Sequence, residues 1–333
     1  MPISALFLAL AAAVVHATWN VLLSGTDDTH SASAVALVVG TIVFAPVALV
    51  AWRFDSAAWP YVAASSTLEV LYMVLLSTAY SVAAMSFVYP IARGSAPVLV
   101  LVAGAVVAGA TVSWPAALGV LLVALGIVLV RGIRGAGHPR DLALALSVGA
   151  CIAGYTLVDK RGIVHASPIA YAEVVFALTA LAYLLGAWRV RGRAALRVAV
   201  TPKTLLAGLG FFGAYALALL ALRFAPAASV AAVRESSVLI ATAVLAIEGR
   251  ERIGTTRALG AAAVVAGIAL IALGCCPARP RSSACEKLIR PGVLEIPNLF
   301  DLDPRPVVRP AAAVIASGVW RRDAPTTCPA SGE

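Results

Sequence analysis

The chain has 333 residues, 61% of them hydrophobic and 12% charged, with a formal net charge of +9 and a mean hydropathy of +0.95. A soluble domain carries roughly 25% charged residues, so too little polar side chain is present to coat a water-soluble particle of this size. The remaining solvent is lipid, where every backbone polar group needs an internal partner and only helices and closed barrels supply one.

Ten apolar runs of membrane-crossing length follow in chain order. They lie near residues 3–23, 32–52, 60–79, 82–108, 114–130, 142–160, 168–188, 204–222, 226–248 and 256–274. None shows the polar/apolar alternation of a barrel strand, so the expectation is an all-α membrane protein. No basic segment precedes the first run, which reads as a span and not as a cleaved leader. Pro60, Pro115, Pro168 and Pro226 open or precede spans, where a missing N–H costs least. The basic residues fall mostly in connectors, as in the cluster Arg189, Arg191, Arg193, Arg197 and Lys203. Such juxtamembrane charge fits lipid headgroups and the setting of orientation, and nucleic acid is not an expected partner. Residues 275–333 turn rich in proline and arginine without a spanning run, and are read as a disordered C-terminal tail. Four of the five cysteines (Cys275, Cys276, Cys285, Cys328) fall there, in spacings that match no metal or redox motif.

A shift of 141 residues exposes an internal repeat. It places Arg93-Gly94-Ser95 on Arg234-Glu235-Ser236, Ala117-Leu118-Gly119 on Ala258-Leu259-Gly260, and Gly126-Ile127 on Gly267-Ile268. The units are then residues 1–131 and 132–274, each of five helices. Five is odd, so the second copy enters the membrane in the opposite direction. Two inverted five-helix repeats are a common plan of secondary transporters, with substrate bound where the copies meet.

The stretches His16-Ala17-Thr18-Trp19-Asn20, Tyr89-Pro90-Ile91-Ala92-Arg93-Gly94 and Tyr155-Thr156-Leu157-Val158-Asp159 add a resemblance. With the five-plus-five layout, residues 3 to 274 resemble the drug/metabolite transporter superfamily in its EamA-like branch of ten-helix proteins. That resemblance implies movement of a metabolite across the cytoplasmic membrane, with both termini in the cytoplasm; it implies no particular substrate. The positive-inside rule points the other way. Arg131, Arg134 and Arg140, the Arg189–Lys203 cluster, and Arg250, Arg252 and Arg257 all follow odd-numbered spans.

A charged side chain at mid-membrane costs about 2.5–3.5 kcal/mol, so those within the apolar runs are the candidate site. Arg93 and Arg234 occupy matching places in the two copies, and an arginine fork suits a carboxylate or phosphate. They either face substrate in a cavity, pair with a buried glutamate, or snorkel to headgroups. Pro90 and Pro97 predict a broken helix near Arg93. His16, Trp19 and Asn20 share one helix face by i, i+3 and i+4 spacing, as do Tyr155 and Asp159. Both faces are candidate cavity walls, together with Tyr89; for His16 an interhelical hydrogen bond is the plainer alternative. Carboxyl groups taken out of water favour their protonated form, so Glu69 and Glu173 are candidates for proton coupling, unless each is locked in an ion pair.

No nucleotide-binding loop, nucleophile elbow or metal motif is present in the sequence, so no cofactor is expected. The function expected is a secondary active transporter, as an exporter of a small amphipathic or anionic metabolite, coupled to protons. The alternatives are a membrane-embedded enzyme acting on lipid and a non-transporting sensor or assembly subunit. Beyond the bilayer and the small-molecule substrate, a homodimer is the one further partner expected.

Overall fold

The computed structural model describes residues 1–23, 26, 28–82, 85–108, 113–131, 138–247 and 254–273. The tail expected to be disordered lies outside them. Regular structure among the described residues is helical: α1 (Ile3–Leu23), α2 (Thr29–Val50), α3 (Trp59–Val82), α4 (Met85–Ala108), α5 (Trp114–Arg131), α6 (Pro139–Gly162), α7 (Pro168–Val198), α8 (Pro202–Phe224), α9 (Ala227–Arg234), α10 (Ser237–Ile247) and α11 (Thr255–Leu273). Seven segments among them are long and apolar enough to cross a membrane, and Ile91–Val107 and Trp114–Val130 are shorter apolar helices.

These helices are apolar over most of their surface, so away from the few polar residues that turn inward, side-chain size decides which face is buried. On α1 the buried stripe is Ala5, Ala9, Ala12, Ala13, His16 and Ala17, whereas Ile3, Phe7 and Val14 point outward. Lipid tails are as apolar as leucine, so burying a large side chain gains little, while small residues let backbones approach closely. The stripe allows α1 to lie along α8, and α3 lies along α6 in the same way.

Two helix crossings are closer still. On α5 and α11, a Cβ added at Gly119 would stand 2.6 Å from the Gly267 carbonyl, and one at Gly267 would stand 2.6 Å from the Gly119 carbonyl. Gly126 and Gly260 oppose each other likewise, at 2.6 and 2.8 Å. Between α2 and α8, a Cβ added at Gly40 or Gly208 would stand 2.7 or 2.6 Å from a backbone carbonyl, beside the stacked rings of Phe44 and Phe212.

Two expectations need correction. The helix carrying Arg93 is not broken: α4 runs from Met85 to Ala108 through Pro90 and Pro97. Packing against α5, α6 and α9 holds a proline-bearing span that would bend if isolated. The ninth run is instead the interrupted one. After Arg234 the hydrogen bonds shorten to the i→i+3 pattern (Ser236 N–H to Val233 O, Val238 N–H to Glu235 O), so Glu235 and Ser236 form a turn between α9 and α10. Such 3₁₀ turns re-aim a helix without proline.

The ends of α2 and α6 are tied to each other. Phe54 and Ala166 form an antiparallel bridge. Asp55 N–H donates to His165 O at 2.9 Å and Ser167 N–H to Arg53 O at 2.7 Å. The Ser167 hydroxyl donates to Ala51 O at 2.6 Å, and Tyr61 stacks on His165. Beside this seam Lys160 donates to the terminal carbonyls of α8 at Leu222 and Ala225, where a cation also meets the negative end of the helix dipole.

Candidate functional site

A cavity of about 530 Å³ opens among α1, α2, α3, α4, α6, α7, α8 and α9, within the range of small-molecule sites. Its inner end holds Arg93, Arg234, Glu69 and Tyr155; its outer end is rimmed by Asp28, Thr29, Ser33 and Arg191. Thr29 and Arg191 are exposed, while Arg93, Glu69 and Tyr155 are buried. The rim therefore lies at the start of α2 and the last turns of α7, away from the seam at Phe54 and Ala166.

Arg93 is held from two sides. Its Nη1 donates to both oxygens of Glu235, at 3.2 and 3.4 Å, and its Nη2 lies 2.9 Å from His16 Nε2. Guanidinium nitrogens have no lone pair to offer, so His16 Nε2 is the acceptor and the ring carries its proton on Nδ1. The histidine thus makes an interhelical hydrogen bond and also lines the cavity. Trp19 meets the His16 ring edge-on at 4.9 Å and tilts against Phe211 at 4.3 Å. Its buried Nε1 has no hydrogen-bond partner among the described residues. Asn20, on the same face, donates to the His16 carbonyl at 2.8 Å.

Arg234 ends α9 at the cavity wall, where it interacts with Tyr155 and Glu235 and stands in the field of Arg93. Tyr155 packs edge-on against Tyr72. Glu69, from α3, accepts a hydrogen bond from Thr179 of α7 at 3.4 Å.

Not every sequence candidate reaches the cavity. Asp159 stands behind its wall and accepts three hydroxyls: Ser65 at 2.6 Å, Tyr171 at 3.1 Å and Tyr215 at 2.9 Å. Tyr215 itself lines the cavity, so Asp159 fixes a wall residue without touching what the cavity holds. Glu173 is also off the cavity, with Oε2 buried and unpartnered among the described residues. Tyr89 lies on α4, but its side chain is outside the described residues.

Sequence reasoning did not single out Phe211, Tyr183, Tyr215 or the rim residues. The rim had one readable signal, Asp28 three residues before Ser31, which is an N-cap pattern. Ser31 donates to Asp28 from its N–H at 3.2 Å and its hydroxyl at 2.6 Å. Burial works to raise the Asp28 carboxyl, but these hydrogen bonds and the charge of Arg191 hold it below its ordinary value. Next to it, His30 Nδ1 lies 3.0 Å from the Tyr183 hydroxyl.

Comparison with known proteins gives a family match over part of the chain. Residues 141–273 match the EamA-like transporter family, which belongs to the drug/metabolite transporter superfamily. A solved structure titled only "Crystal structure of protein" is similar over 81% of this chain and 95% of its own, with a TM-score of 0.64 and 16% identity. That likeness speaks to the fold alone. No curated protein matches the chain.

Proposed function

We propose that this multi-pass membrane protein, with its EamA-like transporter match over residues 141–273, is a secondary active exporter of a small amphipathic or anionic metabolite in the cytoplasmic membrane. The cavity carries the reading. It is large enough for a metabolite, opens at one end, and holds two arginines from matching places in the sequence repeat. Aromatic rings from Trp19, Tyr72, Tyr155 and Phe211 offer apolar faces beside that charge.

The inverted-repeat plan has its own support. A pseudo-two-fold axis exchanges residues 141 apart, so it must carry the Gly119–Gly267 contact onto Gly260–Gly126. Both contacts occur, with reciprocal geometry. The same operation exchanges α1 against α8 with α6 against α3, and both pairings are extensive. Proton coupling is assigned to Glu69, the carboxyl group that shares the inner end of the cavity with Arg93 and Arg234. Glu173 serves as a second proton site at most, since it is off the cavity.

Flux of a metabolite panel into and out of proteoliposomes, with and without a pH gradient, tests this reading. Substrate should move, faster with the gradient imposed, and Glu69→Gln should abolish the effect of the gradient. If replacing both Arg93 and Arg234 with glutamine leaves flux intact, the cavity is not the transport site. Flux indifferent to pH would remove the proton coupling alone.

A further inference from the structure

The arginines related by the repeat do not meet the same surroundings. The shift that pairs Arg93 with Arg234 pairs Gly94 with Glu235, so only the second copy carries a carboxylate beside its arginine. In the fold that carboxylate crosses to the other copy. Glu235, in the turn between α9 and α10, forms its ion pair with Arg93 of α4, and His16 of α1 takes the other arm of the same guanidinium. Arg93 is thus neutralised and fixed by two separate elements. Among the described residues no carboxylate forms an ion pair with Arg234, whose neighbours are the Tyr155 phenol and, at longer range, Glu235, Arg93, Glu69 and Asp159.

We infer that the two arginines have different tasks: Arg93 is a neutralised anchor that positions the site, and Arg234 is the cation that receives a single anionic group of the substrate. The inference rests on the transporter reading above and deepens it. Recruiting Arg93 to a ligand would strip Glu235 of its partner and leave that carboxylate buried alone. Engaging Arg234 breaks no ion pair. The Trp19 ring, which lines the same cavity, adds an apolar face beside that charge. Because Arg93 and Glu235 cancel, one positive charge is left for the ligand to match while Glu69 of the same cavity carries its proton. Once Glu69 loses that proton its charge opposes Arg234, so a second negative charge on the ligand is resisted in either state. The ligand class is therefore a monoanion with an apolar or aromatic body.

Binding to the purified full chain, at a pH above the second ionisation of the phosphonate, tests this with three probes of similar size: phenylacetate, the cation phenethylamine and the dianion phenylphosphonate. The wild-type protein should prefer phenylacetate. Arg234→Gln should lose about tenfold or more of that affinity, roughly one charge-assisted contact, and Glu235→Gln should not restore it. Arg93→Gln should lower both Tm and affinity by stranding Glu235, and Arg93→Gln with Glu235→Gln should recover both. Glu235→Gln alone adds a positive charge, and should shift preference toward phenylphosphonate by about tenfold. A wild-type protein with no preference for phenylacetate over phenethylamine would overturn the inference. So would an Arg234→Gln protein that keeps it, or a doubly substituted 93/235 protein as defective as Arg234→Gln. Were this binding pattern found in a protein that moves nothing in vesicles, the transporter reading alone would fail. Were flux found without the pattern, only the division of tasks would.

Discussion

Asp159 and Tyr155 stand one helical turn apart on α6, and the spacing in the sequence gives them one face. The fold divides them, with Tyr155 on the cavity and Asp159 in a cage of three hydroxyls behind it. Spacing fixes direction around a helix axis but not the depth at which a cavity ends, so this division was not legible. The cage is nevertheless chemically sufficient, because three donors offset the desolvation of one carboxylate. Asp159→Asn keeps the shape but turns one acceptor into a donor facing hydroxyls. It should cost about 1–3 kcal/mol, read as a lower Tm in detergent, whereas Tyr215→Phe should cost less because two donors remain. Asp28 at the rim gives a pH signature. As an N-cap its replacement by alanine should cost about 1 kcal/mol. Its carboxyl is held below the ordinary value, so the stabilisation is complete above that value and lost as pH falls through the depressed one. The Tm gap between wild type and Asp28→Ala should therefore be full at neutral pH and close in acid; a gap independent of pH would exclude the cap.

At the scale of the element, the crossing of α5 and α11 was the most legible feature and the turn after α9 the least. Gly119, Gly126, Gly260 and Gly267 recur in register across the repeat, and a small residue kept at fixed spacing in an apolar helix marks close packing. The turn has no glycine or proline within it, so nothing local announced it. The two prolines in α4, which predict a break, are overruled by the neighbours that pack around them. The glycines give a sharp test. Gly267→Ala would place its Cβ 2.6 Å from the Gly119 carbonyl, a backbone atom that moves only if a helix moves. It should cost about 1–3 kcal/mol. Gly119→Ala meets the same crossing at the same distance. The helices need separate only once, so the double substitution should cost less than the sum of the two. Gly186→Ala on α7 meets nothing within 4 Å and should be neutral or raise the Tm, since alanine favours helix by about 1 kcal/mol over glycine. Equal losses at Gly186 and Gly267 would show that the effect is not packing.

For the molecule as a whole, the proposed two-copy plan makes a demand on the end of the cavity away from its rim. A carrier that exposes one pocket alternately to two sides must open there, and what holds that end is the seam of Phe54 and Ala166, with backbone hydrogen bonds from Asp55 to His165 and from Ser167 to Arg53. This seam was not foreseeable from the sequence, because loops this short carry no pattern that names their partner. The antiparallel bridge puts the two Cα atoms about 4.5–5.5 Å apart, inside the range a disulfide spans. Phe54→Cys with Ala166→Cys, in a chain whose Cys275, Cys276, Cys285 and Cys328 are replaced by serine, should therefore cross-link under mild oxidation. Cys151 is buried and can stay. The cross-linked protein should keep its ligand affinity, because the cavity rim is untouched, and lose vesicle flux; reductant should restore it. The separation of the two readouts matters, since a merely damaged fold would lose both. Full flux through a fully cross-linked population would mean that the seam never parts, and the pathway across the membrane would have to be sought elsewhere in the bundle.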